Sequence, residues 1–244
     1  MKRYALVSGA SRGIGRAIAI ELAKDGCFIL LNYKSNHAAA EEAKRLIEEV
    51  GGEVELMPFD VSQADAINAA LDAWFATHPN DYIDVLVNNA GIVDDEIMLM
   101  MEPEQWHRVI DVNLNGFFYC TRRVIEGMVE NHHGRIVNIS SIAAQVGFAG
   151  QAHYAAAKSA IIGATRSLAV ELATKHVTVN VVAPGVIATD MALQGIEKDE
   201  FLRVDIPMHR LGRPEEVAYL VSFLCSNRAD YISGQIIGIN GAAL

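Results

Sequence analysis

Short, strongly hydrophobic runs alternate along the chain with longer segments in which apolar residues recur at helical spacing. The first three runs are nearly continuous rather than alternating, which is typical of strands that helices cover on both faces of a parallel sheet. The alternation predicts an α/β fold: a Rossmann-type, doubly wound sheet of seven parallel strands. The predicted strands are Tyr4 to Ser8, Cys27 to Tyr33, Val54 to Pro58, Val85 to Asn88, Arg135 to Ser140, Val177 to Ala183 and Ile236 to Ile239.

Two of the intervening segments show the helical spacing clearly, Arg16 to Asp25 and Ala38 to Val50. The long connection from Val186 to Leu211 follows the sixth predicted strand. Because ligands of open α/β sheets bind beyond the carboxyl ends of the strands, this connection predicts a lid over such a crevice. The inward face of the first helix is predicted to carry Ala17, Ile20 and Leu22.

The composition predicts a large buried core and limits the partners. Of the 244 residues, 51% are hydrophobic and 20% charged, which suits a single domain spanning residues 1–244. A formal net charge of −10 disfavours non-specific binding to nucleic acid or anionic lipid. Since no apolar stretch of about 18 residues and no signal-peptide pattern occurs, we expect a soluble, cytoplasmic protein. Cys27, Cys120 and Cys225 lie in apolar surroundings and are expected to be buried free thiols.

Glycines follow the first predicted strand and open the first predicted helix, at Gly9, Gly13 and Gly15. This G-x-x-x-G-x-G spacing differs from G-x-G-x-x-G, and alone it is equally consistent with a plain strand-to-helix turn. In the first βα unit, however, it supplies the tight turn and close backbone approach that a pyrophosphate at a helix N-terminus requires. The predicted cofactor-binding residues of this loop are Gly9, Ser11, Arg12, Gly13, Ile14 and Gly15.

The end of the second predicted strand carries no acidic residue, and reads Asn32-Tyr33-Lys34-Ser35. Folds that use NAD often place an Asp or Glu about 20 residues after the glycines, on the ribose 2′-hydroxyl. Here a 2′-phosphate would meet Arg12 and Lys34 and no carboxylate, unless both are solvated surface residues. The sequence therefore predicts NADPH/NADP⁺ as cofactor, with Asn32 and Lys34 in its site.

Three further residues predict carbonyl chemistry: Ser141, Tyr154 and Lys158. Positions four apart share one face of a helix, so the Lys158 ammonium can lie beneath the Tyr154 phenol. A phenol with a pKa of about 10 is a poor acid near neutrality, and we expect Lys158 to lower the pKa of Tyr154. Tyr154 would then donate a proton while Ser141 donates a hydrogen bond to the developing oxyanion. A lone Tyr-x-x-x-Lys is usually surface decoration and a lone Ser a turn residue, but their joint spacing behind a nucleotide loop favours catalysis.

At these positions the chain resembles the short-chain dehydrogenase/reductase family over its full length. Two departures from the family pattern are visible: Ser8 replaces the usual Thr, and the tail reads Asn240-Gly241-Ala242 instead of carrying Gly-Gly. The resemblance implies that Asn113 helps to hold a water that links Lys158 to solvent. It implies the catalytic set Asn113, Ser141, Tyr154 and Lys158, and additional cofactor residues Asp60, Val61, Asn89, Ala90, Gly91, Pro184, Gly185, Ile187 and Thr189.

Within that family the chain is similar to the 3-oxoacyl-(acyl-carrier-protein) reductases. The likeness implies NADPH-dependent reduction of a 3-oxoacyl thioester to the (3R)-3-hydroxyacyl product, in fatty-acid or polyketide and polyene biosynthesis. It also implies an acyl carrier protein as partner, and a homotetramer or pairing with a related family member. The strings that carry it are Asn88 to Val93, Gly134 to Val137, Gly150 to Lys158, Val179 to Gly185 and Leu211 to Glu216.

Carrier proteins are acidic, so docking requires cations near the pocket mouth. The sequence is poor in them: Val129-Glu130-Asn131 follows Met128, and Lys175 is the principal remaining candidate. We expect Lys175, with Arg135 or Arg122 and Arg123, to form the landing site.

Other interpretations stay open. Relatives that act on sugars, steroids or small cyclic alcohols and ketones share most of these strings, and a nucleotide-binding scaffold without catalysis would keep the fold. The adjacent His132 and His133 lack metal-ligand spacing, and we expect no catalytic metal. The run Ile97 to Met101 is more typical of core or subunit interface than of an adaptable binding surface.

Overall fold

The seven strands form one parallel sheet in the order β3-β2-β1-β4-β5-β6-β7. This is seen in a computed structural model that describes residues 2–189 and 206–243. The strands are β1 (Arg3–Val7), β2 (Cys27–Tyr33), β3 (Glu53–Pro58), β4 (Ile83–Asn88), β5 (Gly134–Ile139), β6 (Val177–Pro184) and β7 (Ile236–Ile239). The predicted doubly wound α/β fold is confirmed, and each predicted strand is within two residues of the observed one.

Helices cover both faces of the sheet. In the described part of the chain they are α1 (Gly13–Lys24), α2 (His37–Glu49), α3 (Ala64–Thr77), α4 (Pro103–Ile110), α5 (Gly116–Glu130), α6 (Ala152–Leu172) and α7 (Pro214–Cys225). One turn of π-helix, Asp111–Asn115, joins α4 to α5. Such bulges often occur at functional sites because they rotate one side chain out of the regular helical register. The predicted lid lies mostly outside the described residues.

The predicted burial can be compared with two elements. In α1, Leu22 is buried and Ala17 and Ile20 pack against the core as predicted, although they are only partly buried, and Ile18 and Ala19 are buried as well. Strand β3 alternates between exposed and covered positions instead of being continuously buried. It is an edge strand, so helices do not cover both of its faces along its length.

The strand order reverses between β1 and β4, which opens a crevice at the carboxyl ends of the strands. Four segments that carry predicted site residues follow these ends, namely Ser8 to Gly15 after β1, Asn89 to Gly91 after β4, Ser141 after β5 and Gly185 to Thr189 after β6. The topology therefore brings together positions that are up to 181 residues apart in the sequence, from Ser8 to Thr189.

A buried chain of hydrogen bonds ties helices α5 and α6 to the middle of the sheet. Asn88 Nδ2 donates to Thr121 Oγ1 of α5 (3.1 Å) and to Asn138 Oδ1 of β5 (2.8 Å). Asn138 Nδ2 in turn donates to Thr165 Oγ1 of α6 (2.9 Å). Because buried polar groups are costly when unpaired, this chain fixes the position of both helices on the sheet.

Several smaller expectations can be compared with the described residues. Cys27, Cys120 and Cys225 are buried and free, as predicted. The run Ile97 to Met100 is exposed in the single chain, which excludes the core, and the alternative of a subunit interface stays a prediction. None of the helices in residues 2–189 and 206–243 is long and apolar enough to cross a membrane. In the same residues, no three His, Cys, Asp or Glu side chains group as metal ligands.

Candidate active site

The glycine loop leaves a helix N-terminus open to an anion. Helix α1 begins after Arg12, whose side chain does not cap it, and its first turn holds no acidic residue. The first amide groups of α1 therefore face the crevice without a side-chain acceptor from the cap position. At Gly9 the backbone has φ +63°, and a Cβ would lie 2.9 Å from the Cα of Ala90. The loop can take this shape only with glycine at that position.

Ser8 fastens the glycine loop to the loop that follows β4. Its Oγ accepts hydrogen bonds from the backbone N–H of Asn89 and of Ala90, both at 3.0 Å, and donates to Val87 O (3.3 Å). The Asn89 side chain also links the two loops, because it donates hydrogen bonds to Ser8 O and Gly9 O. A hydroxyl is what this position requires, so serine in place of threonine preserves the function.

Lys34, which is predicted to contact the phosphate on the cofactor's ribose, is paired with a carboxylate of the same chain. Lys34 Nζ lies 2.6 Å from the Asp60 carboxylate, so the prediction that a 2′-phosphate meets no carboxylate is wrong. The parallel register pairs Tyr33 with Pro58, which brings the residues after both strands side by side. Burial disfavours ionisation of Asp60, but hydrogen bonds from Lys34 and Ser62 outweigh it and lower the pKa of Asp60.

Asn32 holds the glycine loop in place, and its side-chain amide is not free to contact a cofactor. It is buried, and it donates to the carbonyl oxygens of Met57 and Phe59 while accepting from Gly9 N (3.1 Å). Its contribution to a cofactor site is therefore to hold Gly9. Arg12, by contrast, is exposed, and its side chain makes no ion pair with the described residues.

The remaining predicted cofactor residues line the same crevice. Thr189 Cγ2 lies 3.4 Å from where a Cβ on Gly13 would be, which places the segment after β6 against the glycine loop. Gly185 N donates to Ile239 O (2.8 Å), and Ile187 is buried beneath the segment. Val61 is buried and lines a small polar cavity with Ser8, Ala90 and Asn113. Among the other predicted cofactor residues, Ser11 is buried. Ile14 is partly buried, and so is Gly185, which follows Pro184.

Ser141 and Tyr154 meet at the end of β5. Ser141 caps a short 3₁₀ turn by accepting from Ala143 N (3.1 Å), which leaves its own hydrogen available to an oxygen in the crevice. Burial and the Asp95 carboxylate raise the pKa of the Tyr154 phenol, and together they outweigh Ser141, which lies near enough to lower that pKa by hydrogen bonding. The pKa of Tyr154 is therefore raised, and the phenol is protonated at neutral pH.

Lys158 lies behind the phenol, one turn further along α6. Its Nζ is 5.7 Å from the centroid of the Tyr154 ring and donates to Ile139 O (2.9 Å). Burial lowers the pKa of Lys158 to about 8. The expected lowering of the Tyr154 pKa by Lys158 is thus not found in the ligand-free chain, because the ammonium is bound to a carbonyl rather than to the phenol and burial dominates at both groups.

Asn113 completes the predicted catalytic set, and the π-helical turn presents it. Its Nδ2 donates to Ile92 O and Val109 O, both at 2.9 Å, while its Oδ1 is buried without a hydrogen-bond partner among the described residues. That oxygen lies 2.6 Å from where a Cβ on Gly91 would be, and Lys158 Nζ lies 3.3 Å from the same point. A side chain at position 91 would separate the amide oxygen from the ammonium.

The predicted docking cations do not line this pocket. The Arg135 side chain is 3% exposed and is paired with Asp230, and Arg123 is paired with Asp72. Lys175 precedes the amino end of β6, whereas Tyr154 lies at the carboxyl end of the sheet. The eight residues of β6 separate the two by about 26 Å at about 3.3 Å per residue. The expected landing site at the mouth of the chain's own pocket is therefore wrong.

Sequence reasoning missed several residues next to the phenol. Asp95 acts on Tyr154 through its charge, and His153 is fully buried beside it. No spacing pattern marks either residue. The only available signal was position, since Asp95 follows Asn89 to Gly91 closely and His153 directly precedes Tyr154.

Comparisons with known proteins agree with this geometry. A family model described as enoyl-(acyl carrier protein) reductase matches residues 9–242. The chain belongs to the short-chain dehydrogenase/reductase family. It is an oxidoreductase. A 3-oxoacyl-(acyl-carrier-protein) reductase of Synechocystis sp. is 44% identical over 240 residues, 98% of this chain and 96% of the relative.

Other members of the family are similar over the full length as well. A Staphylococcus aureus 3-oxoacyl-(acyl-carrier-protein) reductase is 41% identical over 99% of this chain and 98% of its own. Among solved structures, a putative gluconate dehydrogenase from Agrobacterium tumefaciens superposes with a TM-score of 0.92 at 36% identity, covering 99% of this chain and 95% of the other. A 3-oxoacyl-(acyl-carrier protein) reductase from Brucella melitensis gives 0.90 at 38% identity, with 98% and 90% covered.

The Lys158 pKa of about 8 predicts how turnover depends on pH. Because burial lowers this pKa, the ammonium is present below pH 8 and is lost as the pH rises through it. We expect kcat/KM for reduction to be level near pH 6 to 7 and to fall about tenfold per unit well above pH 8. In Lys158→Arg the cation persists over this range, so its residual activity should show no break there. A wild-type profile that rises through pH 8 to 9 would contradict the assignment.

Proposed function

We propose that this chain is a reductase that uses NADPH to convert a 3-oxoacyl thioester, carried by an acyl carrier protein, to the (3R)-3-hydroxyacyl product. The observation that supports this most strongly is the placement of Ser141 beside Tyr154, with the Lys158 ammonium buried behind them, at the end of a dinucleotide crevice. Relatives named as 3-oxoacyl-(acyl-carrier-protein) reductases that are 41–44% identical over nearly the whole chain select this substrate class. Both fatty-acid and polyketide or polyene biosynthesis require this step.

The residues present fit a nicotinamide dinucleotide. The uncapped start of α1 and the close approach at Gly9 suit a pyrophosphate, and the space at Gly91 leaves Asn113 and Lys158 open towards the crevice. Asn89 and Ala90 form the floor between these regions. When bound, NADPH supplies the hydride that reduces the carbonyl carbon.

Side chains of this protein stabilise the negative charge that develops on the substrate's carbonyl oxygen. Ser141, whose Oγ already accepts from Ala143 N, directs its hydrogen to that oxygen. Tyr154 is protonated at neutral pH and transfers its proton to the same oxygen. The Lys158 ammonium stabilises the phenolate that remains, and it does so strongly because the site is desolvated. Asn113, beside Lys158, suits the role of holding the water that returns a proton to this relay.

Dehydrogenation of a sugar acid is the second candidate, since the gluconate dehydrogenase fold matches so closely. Such a substrate carries a carboxylate, and recognition of a carboxylate normally uses a cation. The Asp95 carboxylate acts on the phenol here, and the Lys158 ammonium is buried behind the phenol and bound to Ile139 O, so it does not offer a free cation to a substrate carboxylate. A neutral 3-oxoacyl chain is therefore favoured over an anionic polyol at this pocket.

The substrate class is tested by turnover. We expect purified enzyme to oxidise NADPH with acetoacetyl thioesters of N-acetylcysteamine and of acyl carrier protein, with kcat/KM at least about a hundredfold above that for gluconate oxidation with NADP⁺. A crotonyl thioester serves as the control for double-bond reduction and should give no turnover. Preference for gluconate, or for the crotonyl thioester, would replace the proposed function.

The cofactor form is tested by charge removal at the crevice. Arg12 is unpaired among the described side chains, whereas Lys34 already binds Asp60. We expect the enzyme to prefer NADPH over NADH, with Arg12→Ala reducing kcat/KM for NADPH about tenfold and Lys34→Ala reducing it less. Neither change should affect NADH. Equal use of both cofactors by the unmodified enzyme would contradict NADPH as the cofactor.

The proposal includes an acyl carrier protein as partner and a cytoplasmic location. It also includes assembly as a homotetramer or pairing with a related family member. Names of the similar proteins support the carrier protein as partner. With Lys175 and Arg135 placed at the amino ends of the strands, carrier docking to this chain's own pocket must use other residues.

A further inference from the structure

The loop after β4 is bound to the start of α6 through consecutive residues. The backbone N–H of Glu96 donates to Gly150 O (3.0 Å), and Gln151 Nε2 donates to the Asp95 carboxylate (3.1 Å). Gly150 has φ +87°, a left-handed conformation that allows the chain to turn into α6 at this point. We call residues 94–96 the wall loop, because their hydrogen bonds to Gly150, Gln151 and His153 hold them against the start of α6, where Tyr154 lies.

His153 makes a third contact, and this one is fully buried. Its Nε2 lies 2.8 Å from Asp94 O, and since a carbonyl only accepts, Nε2 carries the proton. The ring stacks on Trp106 of α4, with centroids 6.4 Å apart and planes at 24°. Its Nδ1 has no hydrogen-bond partner among the described residues. An unpaired buried nitrogen costs free energy, so the position is not explained by packing alone.

Asp94 also joins the wall loop to α4, because its carboxylate forms an ion pair with Arg108. The backbone oxygen of Asp94 is thus held by α6 and its side chain by α4. His153 bonds to Asp94 and packs on Trp106, which belongs to α4. One residue of the wall loop is therefore fixed between two helices, α4 and α6.

His153 directly precedes Tyr154 in α6. Consecutive side chains in a helix point about 100° apart, so His153 can face the wall loop and α4 while Tyr154 faces the crevice. Any movement of the wall loop relative to α6 changes the width of the pocket at the phenol. A substrate displaced by about 1 Å from its reactive position loses much of the benefit of orientation.

We propose that His153 is a positioning residue that locks the wall loop to α6 and so fixes the surface against which the acyl part of the substrate lies beside Tyr154. The role requires the Nε2–H donor as well as the ring. It acts on substrate placement and not on the cofactor. The inference takes its substrate from the proposed function.

Two substitutions separate the donor from the ring. His153→Gln keeps an N–H donor at about the reach of Nε2, whereas His153→Phe keeps the stacking on Trp106 and loses the donor. We expect His153→Phe to raise KM for the acetoacetyl thioester at least about fivefold, the equivalent of one hydrogen bond, with kcat changed less than about threefold. His153→Gln should restore KM to within about twofold of wild type. The Kd for NADPH should be unchanged in both.

Arg108→Gln tests the same lock from α4 and does not disturb the core, because Arg108 is exposed. It should raise KM in the same direction, and combining it with His153→Phe should give less than the sum of the two effects, since both act on Asp94. The control is Arg166→Gln, an exposed arginine of α6 remote from the loop, which should leave KM unchanged.

The proposed role of His153 is contradicted if His153→Phe and His153→Gln raise KM equally. It is also contradicted if NADPH affinity falls in parallel with KM, as a general loss of structure would produce. If His153→Phe does not fold, Arg108→Gln with a wild-type KM overturns the proposal. Failure of the proposed function is distinguishable, because the unmodified enzyme would then not reduce the thioester at all. In that case the same KM comparison applies to the ketone that it does reduce.

Discussion

The catalytic end of this molecule depends on one buried ammonium. The Lys158 side chain is buried, and the fall of its pKa to about 8 corresponds to about 3 kcal/mol of unfavourable desolvation. The Ile139 carbonyl offsets part of this cost by accepting a hydrogen bond at 2.9 Å. The same desolvation makes the cation effective, because its interaction with a phenolate is much stronger in a site of low dielectric than in water.

The rest of the fold holds that cation and the phenol in place. Ile139 ends β5 and Ser141 follows it closely, so this strand end supplies both the acceptor for Lys158 and the hydroxyl that lies beside Tyr154. The buried chain from Asn88 through Asn138 to Thr165 fixes α6 on this strand. A helix held less firmly would allow the ammonium to reach solvent, and the driving force for protonating the substrate oxygen would be lost.

The sequence predicted those parts of the site that depend on spacing within one element or on strand ends. Tyr154 and Lys158 are one helical turn apart, and the residues that follow β1, β4 and β5 converge because parallel strands share an edge. The Lys34–Asp60 pair was not predicted, since it depends on the register between β2 and β3. The burial of Arg135 and the placement of Lys175 at the opposite edge likewise required the assembled sheet. His153 carries no pattern at all, because its role arises from a loop that is 59 residues away in sequence.

The account as a whole is tested most directly by Tyr154→Phe, assayed under single-turnover conditions with NADPH and an acetoacetyl thioester. The substitution removes the hydroxyl and keeps the ring, so packing around Lys158 is retained. We expect the rate of hydride transfer to fall by at least about a hundredfold, the usual contribution of general acid catalysis, with the Kd for NADPH unchanged. A variant that retains more than about a tenth of the wild-type rate would contradict the assignment of Tyr154 as the proton donor.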